Sequence, residues 1–176
     1  FLENRPLKLR NFISDSVQLA GLRIINAAAK SGGYHVNRGI PYGSEPRNQL
    51  DHYVLHTGDA EDKVKRPLVL FIYGGNWQSG HRGIYRFVAD TLCSLGYDVV
   101  VPDYRLYPNV RFSGILADVR MAITWVMNSE EIDSRRPIYV MGHSAGAQLG
   151  SLLCLNPALL SDLPGAEKRI AAFIGL

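Results

Sequence analysis

The chain has 176 residues, 47% of them apolar and 20% charged, with a net charge of +3. That length suits one domain with a real hydrophobic core and excludes two. Basic residues are spread along the chain, which excludes a nucleic-acid stripe or a polybasic anchor, and no uncharged apolar run reaches the length of a membrane span.

The chain opens on Phe1 rather than methionine, so its natural start is expected elsewhere. A soluble, cytoplasmic setting is favoured, and a removed signal peptide is compatible with this start. Residues 1–32 form a first segment. Leu9, Ile13, Val17, Ala20, Ile24 and Ala27 or Ala28 recur at three- and four-residue spacing, which predicts an amphipathic helix over 7–30 packed across one end of the domain. Gly32-Gly33 stops it, and residues 33–176 read as the N-terminal portion of the domain.

Two strands follow, Tyr34–Ile40 and Leu50–His56, joined by a turn holding Pro41, Gly43 and Pro46. His35, His52 and His56 fall here and read as strand or surface residues. Residues 59–67 read as a charged surface loop. Residues 67–73 are continuously apolar, the pattern of a strand covered on both faces of a parallel sheet. It ends in Gly74-Gly75-Asn76-Trp77, where glycines bring backbone N–H groups close to whatever sits at the strand's carboxyl end.

A helix is expected from about Gly83 to Leu95, then a buried strand over 98–103 leading into Tyr104-Arg105-Leu106-Tyr107-Pro108. Another helix is expected over Ser113–Met127. Cys93 and Cys154 each sit in a helical apolar pattern and read as buried small hydrophobes. Residues 170–176 read as a last buried strand. Strands alternating with helices at this spacing call for an α/β architecture, a doubly wound, mostly parallel sheet.

The chemistry centres on Gly142-His143-Ser144-Ala145-Gly146. An apolar strand, Pro137–Met141, precedes it, and a helix-forming run from Ala147 to Leu155 follows. In that context Gly-x-Ser-x-Gly is a nucleophile elbow, with an exposed hydroxyl on a strained turn. The following helix aims its free N–H groups at the same point.

Three motifs in this order, Gly74-Gly75-Asn76-Trp77, Asp103-Tyr104-Arg105-Leu106 and Gly142-His143-Ser144-Ala145-Gly146, resemble the α/β-hydrolase fold. More narrowly they resemble its carboxylesterase branch, with hormone-sensitive-lipase-like and kynurenine-formamidase-like enzymes. The resemblance covers about residues 34–176. It implies an acyl-enzyme on Ser144, an oxyanion hole from the N–H groups of Gly75, Asn76 and Ala145, and a substrate pocket walled by Trp77 and His143. Tyr73 stands where the family's loop motif carries histidine, so the hydrogen bonding under that loop must be rearranged. Tyr73, Gly74 and Asp103 are expected to support the loop rather than to react. Arg105 is expected to pair with Asp103 or with a neighbouring carboxylate.

The fold's chain order is Ser, then Asp or Glu, then His, yet no histidine follows Ser144, and Asp162 and Glu167 come too soon. The acid and base are therefore expected on sequence after Leu176, in a missing C-terminal part that would also cover the last strand. His81 is the one upstream histidine that could substitute.

The expected function is hydrolysis of a small carboxylic ester, this chain alone being inactive. The alternatives are an aryl-formamide hydrolase, a non-catalytic small-molecule-binding homologue, or a fragment that pairs through its last strand. No metal site, cofactor or nucleic-acid partner is expected.

Overall fold

The computed structural model describes residues 32–56 and 60–176. The helix expected over 7–30 lies outside the described residues. The elements in order are β1 (Tyr34–Pro41), β2 (Gln49–Leu55), α1 (Ala60–Lys65), β3 (Leu68–Ile72), α2 (Arg86–Ser94), β4 (Asp98–Pro102), α3 (Phe112–Asn128), β5 (Ile138–Gly142), α4 (Ala145–Leu155), α5 (Ala166–Arg169) and β6 (Ile170–Gly175). Short 3₁₀ turns span Arg82–Tyr85 and Pro157–Leu159.

One six-stranded sheet runs β1-β2-β4-β3-β5-β6. β1 and β2 pair antiparallel, as do β2 and β4; the other pairs are parallel. Every residue of β3 and β4 is buried, so both faces are covered, as continuous apolar runs require. In register, Leu68 faces Ile138 and Ile72 faces Gly142. The carboxyl end of β3 therefore lies beside the start of the Gly-x-Ser-x-Gly turn. α4 packs on β5, β6 and β3, which fixes the direction in which the chain leaves that turn.

The structure departs from the sequence expectations at four places. The charged stretch over 59–67 contains α1, because Ala60-Glu61-Asp62-Lys63-Val64-Lys65 is rich in good helix formers, although it carries no clear apolar stripe. The helix expected from Gly83 opens as a 3₁₀ turn and becomes α-helical only at Arg86. The last strand is not buried. Among the described residues β6 pairs with β5 alone, and its residues are half-buried or exposed, with Ile174 at 40% exposure. The two cysteines are free thiols; Cys93 is buried and Cys154 only half-buried. Burial pushes the Cys93 thiol up to about 12.

His52 is one of the few buried polar side chains of the sheet. It lies on β2 opposite Val100, edge-on to Trp125, and neither ring nitrogen has a hydrogen-bond partner among the described residues. The Glu131 carboxylate stands 3.7 Å from Nδ1. Burial lowers its pKa, against the pull of Asp98 and Glu131 and with the help of Arg136. The unfolded chain thus takes up a proton here before the native one does. The stabilisation is complete above about pH 6.5, the unperturbed histidine value, and is lost as pH falls below it. The urea midpoint of wild type is expected to drop between about pH 7.5 and 5.5, and to drop less in His52→Phe. An equal drop in both would assign the acid sensitivity elsewhere.

Candidate active site

Ser144 sits between β5 and α4 with φ 52° and ψ −117°. That is a left-handed backbone which a residue bearing Cβ adopts only at a cost of about 1–3 kcal/mol. The turn is held by a close approach at Gly146, where a Cβ would run into the carbonyl oxygens of Ile72 and Tyr73 at the end of β3. Only glycine lets α4 start so near the neighbouring strand. Ser144 and His143 are exposed, whereas Ala145 and Gly146 are buried.

In the first turn of α4, Gly146 donates to His143 O (2.8 Å), and Ala147 and Gln148 donate to Ser144 O (2.9 and 3.3 Å). The Ala145 N–H has no acceptor among the described residues. On the other side Ser144 N–H donates to Leu176 O (2.8 Å), and Leu176 N–H to Gly142 O (2.9 Å). The end of β6 is thereby tied to the elbow.

The loop after β3 closes against the elbow. A Cβ placed on Gly74 would lie 3.0 Å from Ser144 Cβ and 2.9 Å from His143 Nδ1. Gly75 has φ 135°, and a Cβ there would collide with the Ser79 carbonyl, so this position also demands glycine. Asn76 and Trp77 continue at φ 53° and 56°. The N–H groups of Gln78 and Ser79 turn back onto Gly75 O (3.0 and 2.9 Å). Those of Gly75 and Asn76 have no acceptor among the described residues. The loop after β3, which meets Ser144 at Gly74, and the start of α4 thus each carry backbone N–H groups with no acceptor among the described residues.

Trp77 lies edge-on to Phe112, with ring centroids 6.4 Å apart, and its Nε1 is buried without a partner among the described residues. Tyr107 N–H donates to Trp77 O (2.8 Å). The His143 imidazole packs over Gly74, 6.4 Å from the Tyr85 ring.

Beneath the loop lies a buried ionic cluster around Asp103, which is 2% exposed. Its carboxylate accepts from the Tyr73 hydroxyl (2.7 Å), from the Arg82 backbone N–H (2.7 Å) and from the Arg82 guanidinium. Arg82 also donates to Asp51 (2.7 Å) and Gln49 (3.0 Å). The Tyr73 ring is stacked between Tyr85 (5.2 Å) and Tyr104 (4.8 Å). Burial, then the Asp103 charge, pushes its phenol well above the usual range, so Tyr73 remains a donor. This is the rearrangement that a tyrosine at the loop's first position requires: its hydroxyl reaches down to Asp103.

His81 is committed to the same cluster. Its Nδ1 accepts from Gly83 N–H (3.0 Å), and its Nε2 faces Asp103 at 3.3 Å. With one nitrogen accepting and the other directed at a carboxylate, the neutral ring has no lone pair left for Ser144. Arg105 pairs with Asp118 (2.7 Å) and Glu45 (3.1 Å), the neighbouring-carboxylate option of the sequence reading. Asp162 pairs with Arg120 on the surface.

Sequence reasoning missed Arg82 and Arg47 in this cluster. No local pattern singles out either one, since their partners lie some 20 to 60 positions away in the chain. The only usable signal was indirect, in that a strand-end aspartate expected to be buried needs cationic partners.

A strand order of β1-β2-β4-β3-β5-β6 with a strained serine turn between β5 and α4 defines an α/β-hydrolase. Residues 55–166 match the BD-FAE family model, and the chain belongs to that family. It is 32% identical over 148 residues to the isoprenylcysteine alpha-carbonyl methylesterase ICME of Arabidopsis thaliana, covering 80% of this chain and 34% of that protein. It is 28% identical over 95 residues to the kynurenine formamidase of Drosophila melanogaster, covering 54% of this chain and 32% of that protein. Its fold superposes on the crystal structure of Esterase B from Lactobacillus rhamnosis with a TM-score of 0.69 at 25% identity, covering 87% of this chain and 50% of that one. The chain thus spans about a third of the length of the curated relatives it matches.

Proposed function

We propose that the protein containing this chain is a serine hydrolase that cleaves a small carboxylic ester through an acyl-enzyme on Ser144. The observation that carries this reading is the contact between the strained Ser144 turn and the loop of Gly74 to Asn76. Ser144 Oγ attacks the acyl carbonyl and passes its proton to a base. The oxyanion is held by the N–H groups of Gly75, Asn76 and Ala145. The alcohol leaves with the proton returned by that base, and water then releases the acid by the reverse sequence. Trp77 and His143 wall the pocket, and Tyr73, Gly74 and Asp103 hold the loop. The base and its acid partner belong, in this reading, to the part of the relatives' length that this chain does not span.

The esterase names of similar proteins support ester hydrolysis. The formamidase similarity, with the Gly74-Gly75-Asn76-Trp77 loop, favours a second substrate class, an aryl formamide. Ester and formamide pass through the same tetrahedral intermediate, so one site serves either. Among the described residues no helix is long and apolar enough to cross a membrane. Two free thiols suit a reducing compartment, and a cytoplasmic setting is part of this reading.

Kinetic competition separates the two substrates. The full-length protein is expected to hydrolyse a short-chain nitrophenyl ester, with an aryl formamide acting as a competitive inhibitor of lower kcat/KM. A kcat/KM for the formamide above that of every ester tried would make it the substrate class.

A further inference from the structure

Arg47 lies in the turn between β1 and β2, outside every motif of the sequence. Its guanidinium presents three N–H bonds to the loop system under Ser144. Nε donates to Tyr104 O (2.8 Å). Nη2 donates to the Tyr73 hydroxyl (3.1 Å) and to Gly80 O (2.8 Å). Tyr73 and Gly80 are the two ends of the loop that carries Gly75, Asn76 and Trp77. A single nitrogen therefore bridges the mouth of that loop, and the adjacent one ties it to the turn after β4.

The bridge also sets the direction of a hydrogen. By occupying the acceptor side of the Tyr73 oxygen, Arg47 leaves the hydroxyl proton to Asp103, 2.7 Å away. Inside the mouth, the loop is held by its own short turns onto Gly75 O, from Gln78 N–H, Ser79 N–H and Ser79 Oγ. Tyr85 adds one hydroxyl bond to Gly74 O (3.2 Å). Consecutive left-handed conformations at Gly75, Asn76 and Trp77 persist only where the surroundings over-determine them. Arg47 supplies that constraint from a different part of the chain.

We propose that Arg47 is a positioning residue, which holds the N–H groups of Gly75 and Asn76 in register with Ser144 by clamping both ends of their loop. This rests on the reading of Ser144 as nucleophile. Lysine cannot replace it, because one ammonium cannot span three acceptors that match a planar fork.

The test compares Arg47→Lys, Arg47→Gln and Arg47→Ala in the full-length protein with Arg136→Lys. Arg136 bonds Asp98 (2.7 Å) and Arg66 O (3.1 Å) at the opposite end of the strands, and so reports general destabilisation. Melting temperature, kcat and KM are measured on a short-chain nitrophenyl ester. Arg47→Lys and Arg47→Gln are expected to lower kcat by about tenfold to a hundredfold, the cost of displacing a transition-state donor by a fraction of an ångström to one ångström. KM stays within about twofold, since ground-state binding does not use these donors. Added guanidinium ion is expected to restore part of kcat in Arg47→Ala. Arg136→Lys lowers the melting temperature and leaves kcat per folded molecule at the wild-type value. Wild-type kcat in the folded Arg47 variants, with wild-type hydrolysis intact, would overturn the positioning role alone. Absence of Ser144-dependent hydrolysis in wild type would overturn the functional reading and the positioning role with it.

Discussion

Ser144→Ala in the full-length protein is expected to lower kcat on a short-chain nitrophenyl ester by on the order of 10⁶-fold, the loss that follows removal of a triad nucleophile. The prediction rests on geometry rather than on the motif alone. Ser144 occupies a backbone conformation that nothing but its surroundings enforces, and the loop of Gly74 packs directly against it. Alanine keeps the Cβ and therefore the strain, so stability should stay within about 0.5 kcal/mol of wild type. A variant that remains folded and keeps its esterase activity would remove Ser144 from the chemistry.

Asp103→Ala is expected to have the largest effect on stability. It removes the common partner of Tyr73 and Arg82 and leaves His81 Nε2 without its carboxylate. Arg82 is only 12% exposed at its side chain and would keep Asp51 alone as carboxylate partner. Breaking a buried ion pair from one side costs about 3–5 kcal/mol, a large part of the roughly 5–15 kcal/mol that holds a domain together. The urea midpoint should fall accordingly. Asp103→Asn, which keeps the shape and some hydrogen bonds, should fall less. Activity per folded molecule should fall too, because Tyr73 anchors the first residue of the loop. A wild-type midpoint in Asp103→Ala would mean that Arg82 and Tyr73 find water at no cost, and the cluster would lose its structural role.

The parts of the fold that were legible are those written in local pattern. β3 and β4 announce themselves as continuous apolar runs because both of their faces are buried, and β5 follows the same apolar pattern although Tyr139 and Met141 are only half-buried. The elbow is legible because a strand and a helix meeting at a serine need small residues on either side. Tyr73 was legible in part: a tyrosine in place of histidine implies a changed hydrogen bond, and Asp103 was already expected to support the loop.

What was not legible depends on contacts distant in sequence. Arg82 and Arg47 look like ordinary surface arginines until the turn after β1 and the loop after β3 meet over Asp103. His81 could be weighed as a base only until its two nitrogens were placed. Helix α1 lacks the apolar stripe that periodicity detects, and its formation rests on propensity within a charged run. The half-buried state of β6, which pairs with β5 among the described residues, agrees with the sequence reading that places its cover after Leu176.

The most direct test of the account is to mix the full-length protein with nitrophenyl acetate, quench in acid within one turnover, and map the modified peptide by mass. One acetyl group is expected on the peptide carrying Gly142-His143-Ser144-Ala145-Gly146, localised to Ser144 and absent in Ser144→Ala. An acetyl group on another residue, or rapid hydrolysis with Ser144 unmodified throughout, would contradict it.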